Sequence, residues 1–289
     1  MEPNYKYNDK KIAVLLSTYN GEKYLPSLLD SLLNQTSGDY HIYIRDDGSK
    51  DSTKGIIDAY DKISDKITVV KSVTNLGSKY SFLELLKLVN SDYYMFCDQD
   101  DVWLPIKVEH TYTRMLECEK LYPGKPMIVH TDLRLVDGDL NLTAESYWRY
   151  KQINTDLPHS FNFLCHYNDV TGCVMMLNNK AKEASRSIFD IELPKHIYHD
   201  AIISIMAVKA GGKVMTLDEP TILYRRHGGN ETDATTEHVS SILHLSQWRD
   251  SIKTQKERYC FFKELGYGSF LKFMLYRFLY VIIRTAKKR

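Results

Sequence analysis

The chain lacks the glycine-rich signatures that hold nucleotide phosphates. No GxGxxG follows an apolar run, and no GxxxxGK followed by Ser or Thr occurs anywhere. A dinucleotide fingerprint and a phosphate-cradling loop of those kinds are therefore excluded. Paired cysteines are also missing. Cys97, Cys118, Cys165, Cys173 and Cys260 are odd in number and scattered, with no CxxC spacing. That pattern speaks against a disulfide framework or a zinc site and for a reducing compartment. The opening "MEPNYKYNDKK" has no apolar core of a secretory signal. The N-x-S/T triplets at Asn34, Asn141 and Asn230 then read as chance matches. Charge of one sign is absent too: 38 Lys and Arg face 37 Asp and Glu, for a net charge of +1. Nucleic acid is not an expected partner. No internal repeat and no low-complexity linker interrupts the chain.

What is present is an ordinary globular composition, with 43% hydrophobic and 26% charged residues in 289. That length suits one large domain or a domain with an appendage. The first half alternates short apolar runs with helix-like stretches. "KIAVLLS" (11–17) reads as a strand buried on both faces. "GEKYLPSLLDSLLNQ" then places Leu25, Leu28, Leu29, Leu32 and Leu33 at helical spacing. "YHIYIRDD" is a second strand, and a helix capped by Ser49 or Asp51 follows. "KITVVKS", a helix from "SKYSFLELLKLVN" and the strand "DYYMFC" complete a β-α-β-α-β-α-β series. This implies a mostly parallel sheet with right-handed crossovers. Beyond it come a helix over 105–120, a strand over 126–131 and an irregular, aromatic-rich segment over 133–168. A strand "GCVMML", helices near 179–188 and 200–211, a strand "KVMTLD" and helix from about 237 onward follow.

In an open parallel sheet, ligands bind where the carboxyl ends of the strands emerge. Three polar clusters fall at such ends: "STYNGE" (17–22), "RDDGSKD" (45–51) and "CDQDD" (97–101). Each alone is also an ordinary turn. Asp98, Asp100 and Asp101 within four positions repel one another unless a cation sits among them. Hard carboxylate oxygens suit Mg²⁺ or Mn²⁺, which also bind substrate phosphates. The alternative is an exposed acidic turn, or Asp101 as cap of the helix beginning near Pro105.

The segments "LLSTYNGEKYLPSLLDSLLNQT", "IRDDGSKDST", "TNLGSKYSF" and "CDQDDVWLPIKVE", in that order, resemble the nucleotide-sugar half of inverting family 2 glycosyltransferases with the GT-A fold. "DQDDVW" and "YRRHGGN" most resemble bacterial rhamnosyltransferase-type members that build cell-surface polysaccharides. The resemblance spans residues 11 to about 230. It implies an α/β fold: a mixed, mostly parallel sheet flanked by helices, with a C-terminal helical appendage. It also implies a donor half over about 11–104 and an acceptor half over about 105–236 of a domain at 1–236, with 237–289 as the extension.

The resemblance assigns roles. Thr18, Tyr19 and Glu22 would line the nucleoside pocket, with Asn75 and Lys79 also on the donor. Asp46 or Asp47 would accept from N3–H of uracil or thymine. Asp98-Gln99-Asp100 would be the DxD-type motif, with Asp98 near the ribose, Asp100 on the metal and Asp101 supporting. Asp200 of "IYHDAIIS", preceded by His199, would be the general base that a single-displacement inversion needs; as a bare sequence feature it is equally a helix cap. His227 would be a second metal ligand, and Arg225 and Arg226 would contact the diphosphate. Gly228-Gly229 would be a loop that closes over the donor. Tyr147, Trp148 and Tyr150 either stack on acceptor sugar or fill core, and Thr171 and Gly172 would lie near the sugar, with His199 on the acceptor side.

The implied partners are a dTDP- or UDP-sugar, a lipid-linked saccharide acceptor and Mn²⁺ or Mg²⁺, and a homodimer is allowed. The tail "GSFLKFMLYRFLYVIIRTAKKR" is too short and charged for a transmembrane span, which needs ~20 predominantly apolar residues. Lys272, Tyr276, Tyr280, Arg284 and Lys287 or Lys288 fall on one helical stripe, as in a helix lying in a membrane interface. The expected location is cytoplasmic, peripheral to the inner face of the plasma membrane. The competing readings are a nucleotidyltransferase, for which "STYNGEKY" offers only Lys23 to a triphosphate, and a non-catalytic sugar-nucleotide-binding module.

Overall fold

In a computed structural model of the protein, residues 11–72, 74–227 and 245–286 are described. Gly228-Gly229, Asn230, the 236/237 boundary, Lys287 and Lys288 lie outside them. The first half follows the expected alternation: β1 (Ile12–Thr18), α1 (Leu25–Leu33), β2 (Tyr40–Asp46), α2 (Thr53–Ile63), β3 (Ile67–Val69), α3 (Ser78–Leu88) and β4 (Tyr93–Asp98). These strands pair in parallel in the order β3-β2-β1-β4. Their continuous apolar runs have a simple cause. Ala13 and Leu15 of β1 face one core while Ile12, Val14 and Leu16 face another. Both faces of the sheet are therefore covered, and period-2 alternation between polar and apolar is lost.

The second half departs from the expected pattern in length. A two-residue strand β5 (Val102–Trp103) precedes α4 (Lys107–Leu121). β6 runs from Met127 to Val136, and β7 (Leu142–Ala144), α5 (Tyr147–Lys151) and α6 (Phe161–Leu164) occupy the stretch expected to be irregular. β8 (Met175–Asn178), α7 (Asn179–Ala184), α8 (His199–Lys209) and a 13-residue β9 (Lys213–Arg225) follow. α9 (Leu245–Glu264) and α10 (Phe270–Ala286) end the described chain. The sheet is mixed, in the order β3-β2-β1-β4-β8-β6-β9-β5, with β7 beside β6.

The strand expected over "KVMTLD" stops at Asp218, two residues before Pro220, which cannot donate to a ladder. Here the register between β6 and β9 shifts at that point, with Pro220 opposite Asp132, and the strand continues past the irregularity. The bulge is used: the Asp132 carboxylate accepts from the backbone N–H of Leu133 (2.8 Å) and Trp148 (3.1 Å) and from the Ser146 hydroxyl, which together dock α5. The helix caps also differ. Ser52, not Ser49 or Asp51, precedes α2, and Ile106, not Asp101, precedes α4.

The C-terminal helices share the core of α3 and α8 through Phe262, Tyr267 and Phe273. The tyrosine stripe of α10 turns inward: Tyr276 packs on Phe163 (5.5 Å between ring centres) and Tyr280 on Tyr167 (5.6 Å). The exposed side is instead apolar, with Leu271, Leu275, Phe278 and Ile282 open to solvent. No helix among the described residues is long and apolar enough to cross a membrane.

Gly211 (φ +82°) and Gly212 turn the chain from α8 into β9. A Cβ on Gly212 would lie 2.6 Å from the Ala207 carbonyl oxygen and closer still to that of Pro126. Both are backbone atoms already bonded within the turn. Gly212→Ala should lower stability by about 1–3 kcal/mol, the range of overpacking, measured by urea unfolding.

Candidate active site

The carboxyl ends of β1, β2 and β4 lie side by side, since Ser17 pairs with Asp98 and Thr18 with Asp46. A cavity of about 790 Å³ opens there. Thr18, Tyr19, Asp47, Asn75, Asp98, Gln99, Asp100, Tyr147, Thr171, Gly172, His199, Asp200 and Arg226 all line it. Glu22, Asp46, Lys79, Trp148, Arg225 and His227 do not line it.

The donor-side residues are held by one another. The Gln99 carboxamide oxygen accepts from the Thr18 hydroxyl (2.6 Å) and the Tyr19 N–H (2.8 Å), and its NH₂ donates to the Tyr19 carbonyl (3.1 Å). Gln99 thus clamps the loop after β1 to the end of β4. Asp47 is paired with Arg45 and accepts from the N–H groups of Leu76 (2.8 Å) and Gly77 (2.7 Å). It therefore shapes the loop carrying Asn75. Asp46 accepts from Ser49, and Glu22 accepts from the N–H of Ser52 (2.9 Å). The Lys79 ammonium reaches away to the Pro194 carbonyl (3.0 Å).

The three carboxylates at the end of β4 are separated by environment. Asp98 and Asp100 face the cavity; Asp101 is fully buried, and its Oδ2 has no hydrogen-bond partner. Burial, then the charges of Asp100 and Asp98, push the Asp101 pKa well above the carboxylate range. Its Oδ1 accepts from the Arg225 N–H (3.3 Å). The Arg225 guanidinium donates to the carbonyls of Asp100 (2.9 Å) and Gly138 (2.8 Å) and lies 4.6 Å from the Tyr24 ring centre. Arg225 thus joins the end of β9 to the acidic turn, and Arg226 is the arginine at the cavity. This junction places His227 Nε2 2.8 Å from Asp100 Oδ2, with its ring against Tyr24. Donor atoms of Asp98, Asp101 and Cys173 lie within 4.8 Å of one another, and Asp100 and His227 form a carboxylate–imidazole pair at the same strand end. The ionised carboxylates and the imidazole are ligand types that take a divalent cation.

Asp200 lies in the first turn of α8, one residue inside the helix rather than at its cap. Its Oδ2 accepts from the Gly172 N–H (3.1 Å) and its Oδ1 from the Ala201 N–H (2.6 Å). Burial raises its pKa to about 6, against the lowering effect of those two donors. His199 is packed between Phe82 (4.5 Å) and Phe96 (4.8 Å), and burial pushes its pKa down to about 3. Of the aromatics, Trp148 is buried against His130, whereas Tyr147 faces the cavity. The sequence reading missed Asp132, Lys107 and the cluster of His130, His159 and Asp169. Lys107 is a fully buried amine 3.3 Å from the Thr221 hydroxyl, its pKa lowered to about 8 by burial. None of these carries a local signal, because each is defined by residues distant in sequence.

An acidic strand end, a clamped loop after β1 and a buried carboxyl across one cavity form the frame on which family comparison bears. Residues 13–175, more than half of the chain, match the Glycosyl transferase family 2 model. The chain belongs to that family. It is 28% identical over 265 residues to an uncharacterized glycosyltransferase of Nostoc sp., covering 90% of this chain and 78% of that protein. It is 33% identical over 100 residues to the dTDP-rhamnosyl transferase RfbG of Shigella flexneri, covering 33% of this chain and 35% of that one. Among solved structures, S. aureus TarS 1–349 in complex with UDP-GlcNAc superposes with a TM-score of 0.55 at 17% identity, covering 78% of this chain and 61% of that one. The chain spans less than two thirds of TarS 1–349. The fold is thus that of GT-A glycosyltransferases, and the enzyme is a glycosyltransferase rather than a nucleotidyltransferase.

Should the Asp200 carboxyl act as the general base for transfer, it works only when ionised. kcat/KM for sugar transfer should fall about tenfold per pH unit below an apparent pKa of about 6, measured in buffers of constant ionic strength.

Proposed function

We propose that this glycosyltransferase is an inverting, metal-dependent enzyme. In this reading it moves a sugar, rhamnose by preference, from a dTDP- or UDP-sugar to a lipid-linked saccharide in bacterial cell-surface polysaccharide synthesis. The observation that carries the reading is the shared cavity: Asp98 and Asp100, with His227 on Asp100, stand at one wall and Asp200 at another. The RfbG match favours a thymidine donor and rhamnose, over a third of the chain.

In this mechanism the nucleoside lies against Thr18, Tyr19 and Asn75, with Asp47 facing its base. Asp100 and His227 would hold Mn²⁺ or Mg²⁺. A cation held there would supply positive charge to the diphosphate leaving group. Asp98 orients the ribose and Arg226 approaches the diphosphate. The acceptor sugar lies against Tyr147, Thr171 and Gly172. Asp200 Oδ takes the proton of the acceptor hydroxyl as that oxygen attacks the anomeric carbon from the face opposite the leaving group. The Gly172 and Ala201 N–H groups hold the carboxylate in place for that transfer. The exposed apolar side of α10 would rest on the cytoplasmic membrane surface, bringing the cavity to a lipid-linked acceptor.

A panel of dTDP- and UDP-sugars, with and without Mn²⁺, should raise the unfolding midpoint for the true donor only with metal present. Asp200→Asn should keep that shift and lose about 10²–10⁴-fold in transfer. No turnover with any of these donors, or full activity in Asp200→Asn, would refute the mechanism. For the membrane arm, the protein should co-sediment with anionic lipid vesicles. Phe278→Glu, at a side chain 62% exposed, should abolish co-sedimentation without changing the unfolding midpoint.

A further inference from the structure

Outside the cavity, one cluster of titratable side chains has no role in sugar transfer. His130 of β6 is fully buried, and neither ring nitrogen has a hydrogen-bond partner. A buried polar group in that state costs free energy comparable to a lost hydrogen bond. His159 stands at right angles to it, with ring centres 6.0 Å apart. His159 Nε2 lies 2.9 Å from both carboxylate oxygens of Asp169, whose side chain is fully buried. One donor atom from each of the three residues falls within 4.8 Å of the others.

We propose that His130, His159 and Asp169 form a second metal site, for a divalent first-row transition ion such as Zn²⁺, separate from the Asp100–His227 pair. Two imidazoles and one carboxylate suit Zn²⁺, not Mg²⁺ or Ca²⁺, which take oxygen ligands. Three protein ligands leave a fourth tetrahedral position for water. The ion supplies His130 with the partner it lacks. Both histidines bind as neutral imidazoles, and a proton held by His159 leaves to solvent. A bare His159–Asp169 ion pair would account for those two residues but not for the orphaned His130. The position gives the site a structural task. His159 precedes α6, and Asp169 immediately precedes Val170, Thr171 and Gly172 of the cavity wall. An ion there ties the 159–172 segment to the rigid strand β6 and so holds the wall beside Asp200.

The test uses full-length protein without a polyhistidine tag, carrying Asp100→Asn and His227→Ala to remove the other cation pair. After dialysis against Zn²⁺ and desalting, elemental analysis should find about one equivalent. The Co²⁺-loaded protein should show the intense visible bands of tetrahedral nitrogen and oxygen ligation. Adding His159→Gln or Asp169→Asn, with folding checked by circular dichroism, should remove both signals. Absence of bound metal overturns the proposal. So does metal that persists in the folded His159→Gln and Asp169→Asn proteins. A thiolate charge-transfer band overturns it as well, because it would place the ion at Cys173 with Asp98 and Asp101. Should either added variant fail to fold, the Co²⁺ spectrum of the parent protein decides by itself. None of these readouts depends on sugar transfer.

Discussion

The mutual repulsion of Asp98, Asp100 and Asp101 is the constraint around which this protein is organised. Three carboxylates emerge together from a buried strand, and the fold gives each a different environment. Asp101 is withdrawn from water and held towards its neutral form. Asp100 meets His227, and Asp98 is left facing the cavity. The arrangement depends on a strand that arrives from more than a hundred residues away. Arg225, at the end of β9, donates its backbone N–H to Asp101 and its guanidinium to the Asp100 carbonyl.

Most of the polar side chains around the cavity are occupied with one another. Gln99 binds the loop after β1, and Asp47 binds Arg45 and the backbone at 76–77. Such residues act by fixing shape. They leave Asp98, Asp100, Asp200 and Arg226 in defined positions at the surface of the cavity, which is what preorganisation of a polar site requires. Asp200 shows the same economy. Two backbone donors orient its carboxyl, while burial raises its pKa towards neutrality, where a carboxylate becomes a useful base.

The C-terminal helices carry two different faces. Phe262, Tyr267 and Phe273 complete the core over α3 and α8, so this region contributes to the stability of the sheet. The tyrosines expected to lie at a membrane interface instead pack on Phe163 and Tyr167. The exposed residues of α10 are mostly apolar, Leu271, Met274, Leu275, Phe278, Leu279, Val281 and Ile282 beside Lys272.

The amino-acid sequence by itself determined the first four strands, the three helices between them and the polar clusters at the strand ends. It could do so because strands buried on both faces and amphipathic helices leave local periodic signals, and because turn residues mark where the strands stop. The resemblance carried by those ends also pointed to the family. Tertiary structure alone decided the rest. It set the full length of β6 and β9, where a bulge at Asp132 and Pro220 replaces a termination. It turned Arg225 towards carbonyl oxygens and left Arg226 at the cavity. It sent Trp148 into the core and Tyr147 to the site, and it brought His130, His159 and Asp169 together. Each of these outcomes rests on contacts between residues far apart in the chain, and local periodicity contains no record of such contacts.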